Sequence, residues 1–119
     1  MLIVDLKNCK PFAAGDGTAL KEMFHPGKQG VSFRYSLAHA TLKPGASSVK
    51  HRLKTSEVYY LLKGRGRLHI GAESAIVYAG QAVYIPPGSV QYIENTGKTR
   101  LEFLCVVDPA WKKQDEDVL

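Results

Sequence analysis

The chain has 119 residues, 45% of them hydrophobic, and its 16 Lys and Arg against 11 Asp and Glu give a formal charge of +5. That length suits one domain around one core, with no linker. No run reaches the roughly 20 apolar residues of a bilayer-spanning helix, and the start MLIVDLKNCK lacks the charged leader and cleavage site of a secretory signal, so a soluble cytoplasmic protein is expected. The basic residues are scattered singly between Lys7 and Lys113, which argues against a nucleic-acid-binding strip; the surplus charge points at most to attraction of small anionic ligands.

Short segments rich in Val, Ile, Tyr, Phe and Leu alternate with Gly and Pro punctuation, the pattern of an all-β sandwich or barrel. In chain order, strands are predicted at 2–5, 18–24, 31–43, 49–52, 57–63, 66–71, 75–78, 82–85, 90–95 and 100–107. Turn signals stand at Gly15 and Gly17, Pro26-Gly27, Gly30, Pro44-Gly45, Gly64, Gly71, Gly80 and Pro86-Pro87-Gly88. The stretch after Pro109 is the one candidate for a helix, and Asp115, Glu116 and Asp117 read as a solvated tail. Cys9 and Cys105 match no metal or disulfide spacing and read as free thiols.

Side chains alternate across a strand, so the segment ending at Leu42 splits into two faces. Phe33, Tyr35, Leu37, His39 and Thr41 form a bulky set, while Arg34, Ser36, Ala38, Ala40 and Leu42 form a smaller one. Either the bulky set fills a core or the small set lines a hollow, and alternation does not choose between them.

Two stretches carry chemistry. In PGASSVKHRLKTSEVYYLLKG, Gly45 is followed by His51, Leu53, Glu57 and Gly64; in GQAVYIPPGSVQYIEN, Gly80 is followed by Pro86, Gly88, Gln91 and Asn95. His51 and Leu53 share one face of an extended segment, and a tight turn at Lys54-Thr55-Ser56 returns Glu57 toward the same point. The Pro-Pro-Gly turn brings Gln91 in from across, and Gly45 and Gly64 suit positive φ.

These stretches, at 45–64 and 80–95, resemble the two motifs of the cupins, and the resemblance covers a single domain over residues 1–119. It implies a jelly-roll fold of antiparallel sheets and a metal site of three histidines and one glutamate holding iron, manganese, nickel, zinc or copper. Here Leu53 and Gln91 stand where two of those histidines are expected, leaving His51 and Glu57, with Gln91 as a weak amide donor. One divalent transition metal on His51, Glu57 and Gln91 is one reading; a metal-free hydrogen-bonded cluster of the same residues is the other.

Around that centre, Tyr59 should share the face of Glu57 and offer a phenol to a substrate oxygen, or simply fill the barrel. Arg34, Ser36 and Leu53 are candidate pocket residues, an inward Arg34 implying an anionic ligand. His39 and His69 are expected to face outward, the first also by the cupin resemblance, and His25 sits in a loop. Trp111 is expected on the outside of the barrel or against a partner.

Cupins include isomerases, epimerases, dioxygenases, decarboxylases, lyases and sensors, so the resemblance does not fix an activity. The leading expectation is a small-molecule pocket performing non-redox chemistry on a hydroxy, keto or carboxylate compound, with Glu57, Tyr59 and His51 as catalytic groups. The rivals are a non-catalytic ligand-binding or sensor cupin, and a dioxygenase-type cupin with a non-standard centre. The face containing Phe33, Tyr35 and Leu37 points to a homodimer.

Overall fold

A computed structural model describes residues 1–13 and 18–119; the turn signals at Gly15 and Gly17 lie outside the described residues. The strands are β1 (Phe12–Ala13), β2 (Ala19–Phe24), β3 (Ser36–Leu42), β4 (His51–Leu53), β5 (Ser56–Lys63), β6 (Arg65–Ile70), β7 (Glu73–Tyr78), β8 (Ala82–Ile85), β9 (Gln91–Glu94), β10 (Leu101–Asp108) and β11 (Glu116–Val118). They form two antiparallel sheets, one in the order β1-β2-β3-β10-β5-β8 and the other β11-β4-β9-β6-β7.

The sheets face each other across one core. Leu42, Leu61, Leu101 and Phe103 come from the six-stranded sheet and Leu68, Val77 and Ile93 from the other, all nearly excluded from solvent. Burying side chains of this size is worth about 1.5–3 kcal/mol each.

Two strands of the larger sheet, β3 and β5, carry large residues at one end of their inner face and small or polar ones at the other. Along β3 the inward series runs Ser36, Ala38, Ala40, Leu42, and along β5 Glu57, Tyr59, Leu61. The large end closes the core and the small end leaves a cavity of about 290 Å³. The choice left open by alternation is therefore settled: the small face of β3 lines a hollow. Its bulky face lies outside; ahead of the strand, Phe33 packs edge-on against Phe24 of β2 with ring centroids 6.1 Å apart.

Local chemistry explains where the predicted elements shift. Residues 2–5 form no strand, because the Asp5 carboxylate accepts from the Lys7 N–H at 3.1 Å and starts a single 3-10 turn, Leu6–Asn8. The strand predicted at 31–43 begins only at Ser36, after Gly30 ends a short helix, α1 (Pro26–Gln29), at φ 67°. Gly45 and Gly64 have φ of 78° and 82°, as their turns require, and a Cβ on Gly64 would meet the Arg100 carbonyl at 2.9 Å.

The tail after Pro109 is not an α-helix, and although most of its residues stay exposed it is tied to the sheet. After a 3-10 turn at Lys113–Asp115 it becomes β11 and pairs with β4, with Glu116 opposite Leu53, Asp117 opposite Arg52 and Val118 opposite His51. The Asp117 carboxylate binds the Arg52 guanidinium at 3.1 Å on the outer face, so Glu116 and Val118 turn inward. No described helix is long and apolar enough to cross a membrane.

Candidate functional site

The two motif segments are locked together through backbone bonds. The Gly45 N–H donates to the Asn95 carbonyl at 3.1 Å, and the Asn95 N–H to the Ala46 carbonyl at 2.9 Å. The Gly88 N–H of the Pro-Pro-Gly turn donates to the Leu53 carbonyl at 2.7 Å. These ties, with His51 directly opposite Gln91 in the β4–β9 pair, bring His51, Leu53 and Gln91 to the inner face of one sheet, while Glu57 and Tyr59 enter from the other.

Each side chain there is buried. Tyr59 Oη donates to Gln91 Oε1 at 3.2 Å, and Gln91 Nε2 donates to Glu57 Oε1 at 3.1 Å. An ionised carboxylate only accepts, so the amide must turn its NH₂ to Glu57 and its oxygen to the phenol. His51 is 7% exposed, and its Nδ1 lies 3.0 Å from the Val49 carbonyl. A carbonyl cannot donate, so Nδ1 carries the proton, and in the neutral ring Nε2 presents a lone pair. Among the described residues Nε2 has no protein hydrogen-bond partner, and His51 lines the cavity.

The residues present do not fit a resident cation of the kind the cupin motifs imply. The oxygen of Gln91 is a weak, uncharged donor that already shares one of its two lone pairs with Tyr59, and Leu53 supplies a hydrocarbon wall. His51 and Glu57 remain, where a catalytic centre takes three protein ligands. No group of three His, Cys, Asp or Glu among the described residues could complete it.

The other sequence candidates divide. Ser36 is buried, lines the cavity, and its Oγ accepts from the Trp111 N–H at 3.0 Å. Arg34 requires correction: its side chain is 77% exposed and its Nε donates to Asp108 Oδ1 at 3.1 Å, because residues 31–35 leave the strand before alternation can aim it inward. With it goes the inward arginine as a ground for an anionic ligand. Trp111, expected outside, lines the cavity mouth, held by the bond to Ser36 and by His25 Nε2, which lies 2.8 Å from the Trp111 carbonyl.

His39 and His69 do face outward. His39 lies 3.6 Å from Glu102, and burial holds its pKa below the ordinary value against the raising effect of that carboxylate. His69 binds Glu94 and stacks on Tyr92 at 4.0 Å. Two acidic wall residues escaped the sequence reading, Glu22 and Glu116. Alternation with Leu20 on β2 would have found Glu22; the register of β11 against β4, which nothing local encodes, decides Glu116.

The cavity is walled mainly by apolar atoms and opens between the β1–β2 and β4–β11 edges, where the exposed lining residues Phe12, Val49, Trp111 and Val118 lie. Its volume is at the low end of small-molecule pockets, roughly 300–1,000 Å³.

The chain is 37% identical over 112 residues to an uncharacterized protein of Methanocaldococcus jannaschii, covering 92% of this chain and 88% of that one. It is 38% identical over 71 residues to an oxalate-binding protein of Thermotoga maritima, 59% of each chain. Among solved structures, a predicted oxalate decarboxylase of Thermotoga maritima superposes with a TM-score of 0.80 at 26% identity, covering 91% of this chain and 99% of that one. The Cupin domain family model matches residues 38–107, the span that holds both motifs and the floor of the cavity, and this chain belongs to the cupin family.

Proposed function

We propose that this cupin binds a small organic molecule in its cavity and transfers a proton on it without a resident metal, in a lyase or isomerase type of step. The observation that carries the reading is the state of His51: one ring nitrogen is fixed on the Val49 carbonyl and the other faces a buried, mostly apolar cavity with no described protein partner. Such a nitrogen can serve as a general base. It would take a proton from a carbon beside a carbonyl, or from a hydroxyl, and return it to the neighbouring atom as the bond order shifts. Tyr59 and Glu57 line the cavity and are bridged behind its wall by Gln91, and they would orient the substrate's oxygen or hydroxyl.

The test is proton exchange. Protein treated with chelator is incubated in D₂O with a panel of hydroxy and keto compounds, and deuterium at carbon is read by NMR. Exchange by the chelated wild type that is lost in His51→Gln supports the reading. Exchange that requires an added divalent cation, equal exchange in His51→Gln, or tight binding with no exchange on any compound overturns it; the last outcome leaves a binding protein.

We further propose that the protein is a homodimer through the outer face of the six-stranded sheet. That face presents Tyr35, Tyr60, Leu62 and Tyr84, each more than 40% exposed, beside half-buried Val58, Leu104 and Val106. An apolar surface of this kind on adjoining strands is unusual on a monomer. Sedimentation showing a monomer at micromolar concentration would remove the dimer.

A further inference from the structure

We infer that the cavity takes a neutral hydroxy compound, a small alcohol or polyol on an apolar body, in preference to a ketone, a carboxylate or an ammonium ion. The inference rests on the proposed function and deepens it by naming the ligand class of the same pocket.

The first ground is the hydrogen-bonding sense of the buried groups. His51, 7% exposed, spends its Nδ1 proton on the Val49 carbonyl at 3.0 Å. Its Nε2 therefore carries a lone pair, lies on a residue that lines the cavity, and has no hydrogen-bond partner among the described residues. The Tyr59 phenol gives its proton to Gln91 Oε1 at 3.2 Å, so toward the cavity its oxygen can only accept. A buried acceptor without a donor is costly, and a ligand that brings an O–H to Nε2 relieves that cost. A ketone brings only lone pairs.

Two serines supply the opposite sense. Ser36 Oγ accepts from the Trp111 N–H at 3.0 Å and Ser48 Oγ from the Ile93 N–H at 2.9 Å. Both residues are buried in the lining, and each hydroxyl keeps a rotatable proton to donate. A ligand hydroxyl both donates and accepts, so it suits His51 and the serines alike, whereas an ammonium group only donates. Charge disfavours the anion: Glu22, Glu57 and Glu116 line the cavity and no Lys or Arg does among the described residues, so a carboxylate would enter without a countercharge in the wall. Leu20, Ala38, Ala40, Phe103 and Val107 leave a hydrocarbon wall for the apolar body.

A ring series holds the shape while the polar group changes: cis-cyclohexane-1,2-diol, cyclohexanone, cyclohexylammonium and cyclohexanecarboxylate, with oxalate as a fifth probe. Each is titrated into the full chain and followed by amide NMR shifts. In protein carrying ¹⁵N-labelled histidine, at mildly alkaline pH, the His51 Nε2 signal reports whether that nitrogen accepts a hydrogen bond. The expected result is diol binding at least 10-fold tighter than the ketone and the ammonium ion, neither anion binding, and an upfield shift of the Nε2 signal with the diol alone. His51→Phe, checked by thermal melting, should bring the diol down to the affinity of the ketone.

Equal binding of diol and ketone, any charged probe binding as tightly as the diol, no diol binding at millimolar concentration, or a bound diol that leaves the wild-type Nε2 signal unmoved overturns the assignment. The Nε2 reading needs no variant, so it decides even where His51→Phe fails to fold. Deuterium exchange reads the proton-transfer proposal separately: a pocket selective for hydroxyls without exchange, or exchange without that selectivity, lets either fail alone.

Discussion

Gln91 is 1% exposed and makes one hydrogen bond to the Tyr59 phenol and one to the Glu57 carboxylate. Gln91→Leu keeps the volume, so no cavity term enters, but it removes a partner from each. Losing the neutral bond costs about 1.5 kcal/mol and the charged one about 2.5, roughly 4 kcal/mol together. A chain of 119 residues gains about 250 cal/mol/K on unfolding, so each kcal/mol moves Tm by about 4 °C and the variant should melt roughly 16 °C lower. Calorimetric melting at neutral pH measures this directly. In a Tyr59→Phe background the same substitution should cost about 1.5 kcal/mol less, because the phenol is no longer there to lose its partner. A cooperative transition within 4 °C of wild type, or an unchanged penalty in the Tyr59→Phe background, would show that Gln91 does not join these two groups.

Replacing Leu53 and Gln91 together by histidine should complete a donor set of three imidazoles and Glu57, since both positions face the same point from paired strands; Zn²⁺ titration should then show micromolar or tighter binding in the double variant and none in the wild type. A folded double variant that ignores zinc would refute the placement of the four positions. Ala38→Leu should fill part of the hollow, abolishing ligand binding while Tm stays within about 5 °C of wild type, or about 1 kcal/mol; retained affinity would mean the ligand sits elsewhere. His39 contributes to pH dependence with a definite sign. Its folded pKa lies below its unfolded value near 6.5, so the unfolded chain binds the proton more readily, and stability present above pH 6.5 is lost as pH falls toward and through the folded value. His39→Asn should flatten that loss in denaturant titrations between pH 7 and pH 5, against the background of Glu102, Lys21 and Arg100 around it; an unchanged slope would refute the assignment.

The sequence by itself determined most of the strands and the place of the site. Gly and Pro mark turns through their own backbone restrictions, and the spacing from Gly45 to Gly64 and from Gly80 to Asn95 is a local code for two strand-turn units. His51, Leu53, Glu57, Tyr59 and Gln91 were therefore legible as neighbours before any coordinates. Tertiary structure alone decided which face of β3 is inward, because burial depends on what the opposite sheet supplies, and the packed end at Leu42, Leu61 and Ile93 leaves Ser36 and Ala38 facing a hollow. It decided that Gln91 spends its oxygen on Tyr59, a partner 32 residues away. It decided too that the acidic tail becomes a strand, since pairing across 65 residues between Arg52 and Asp117 has no local signature. That long-range register puts Glu116 in the wall of the cavity.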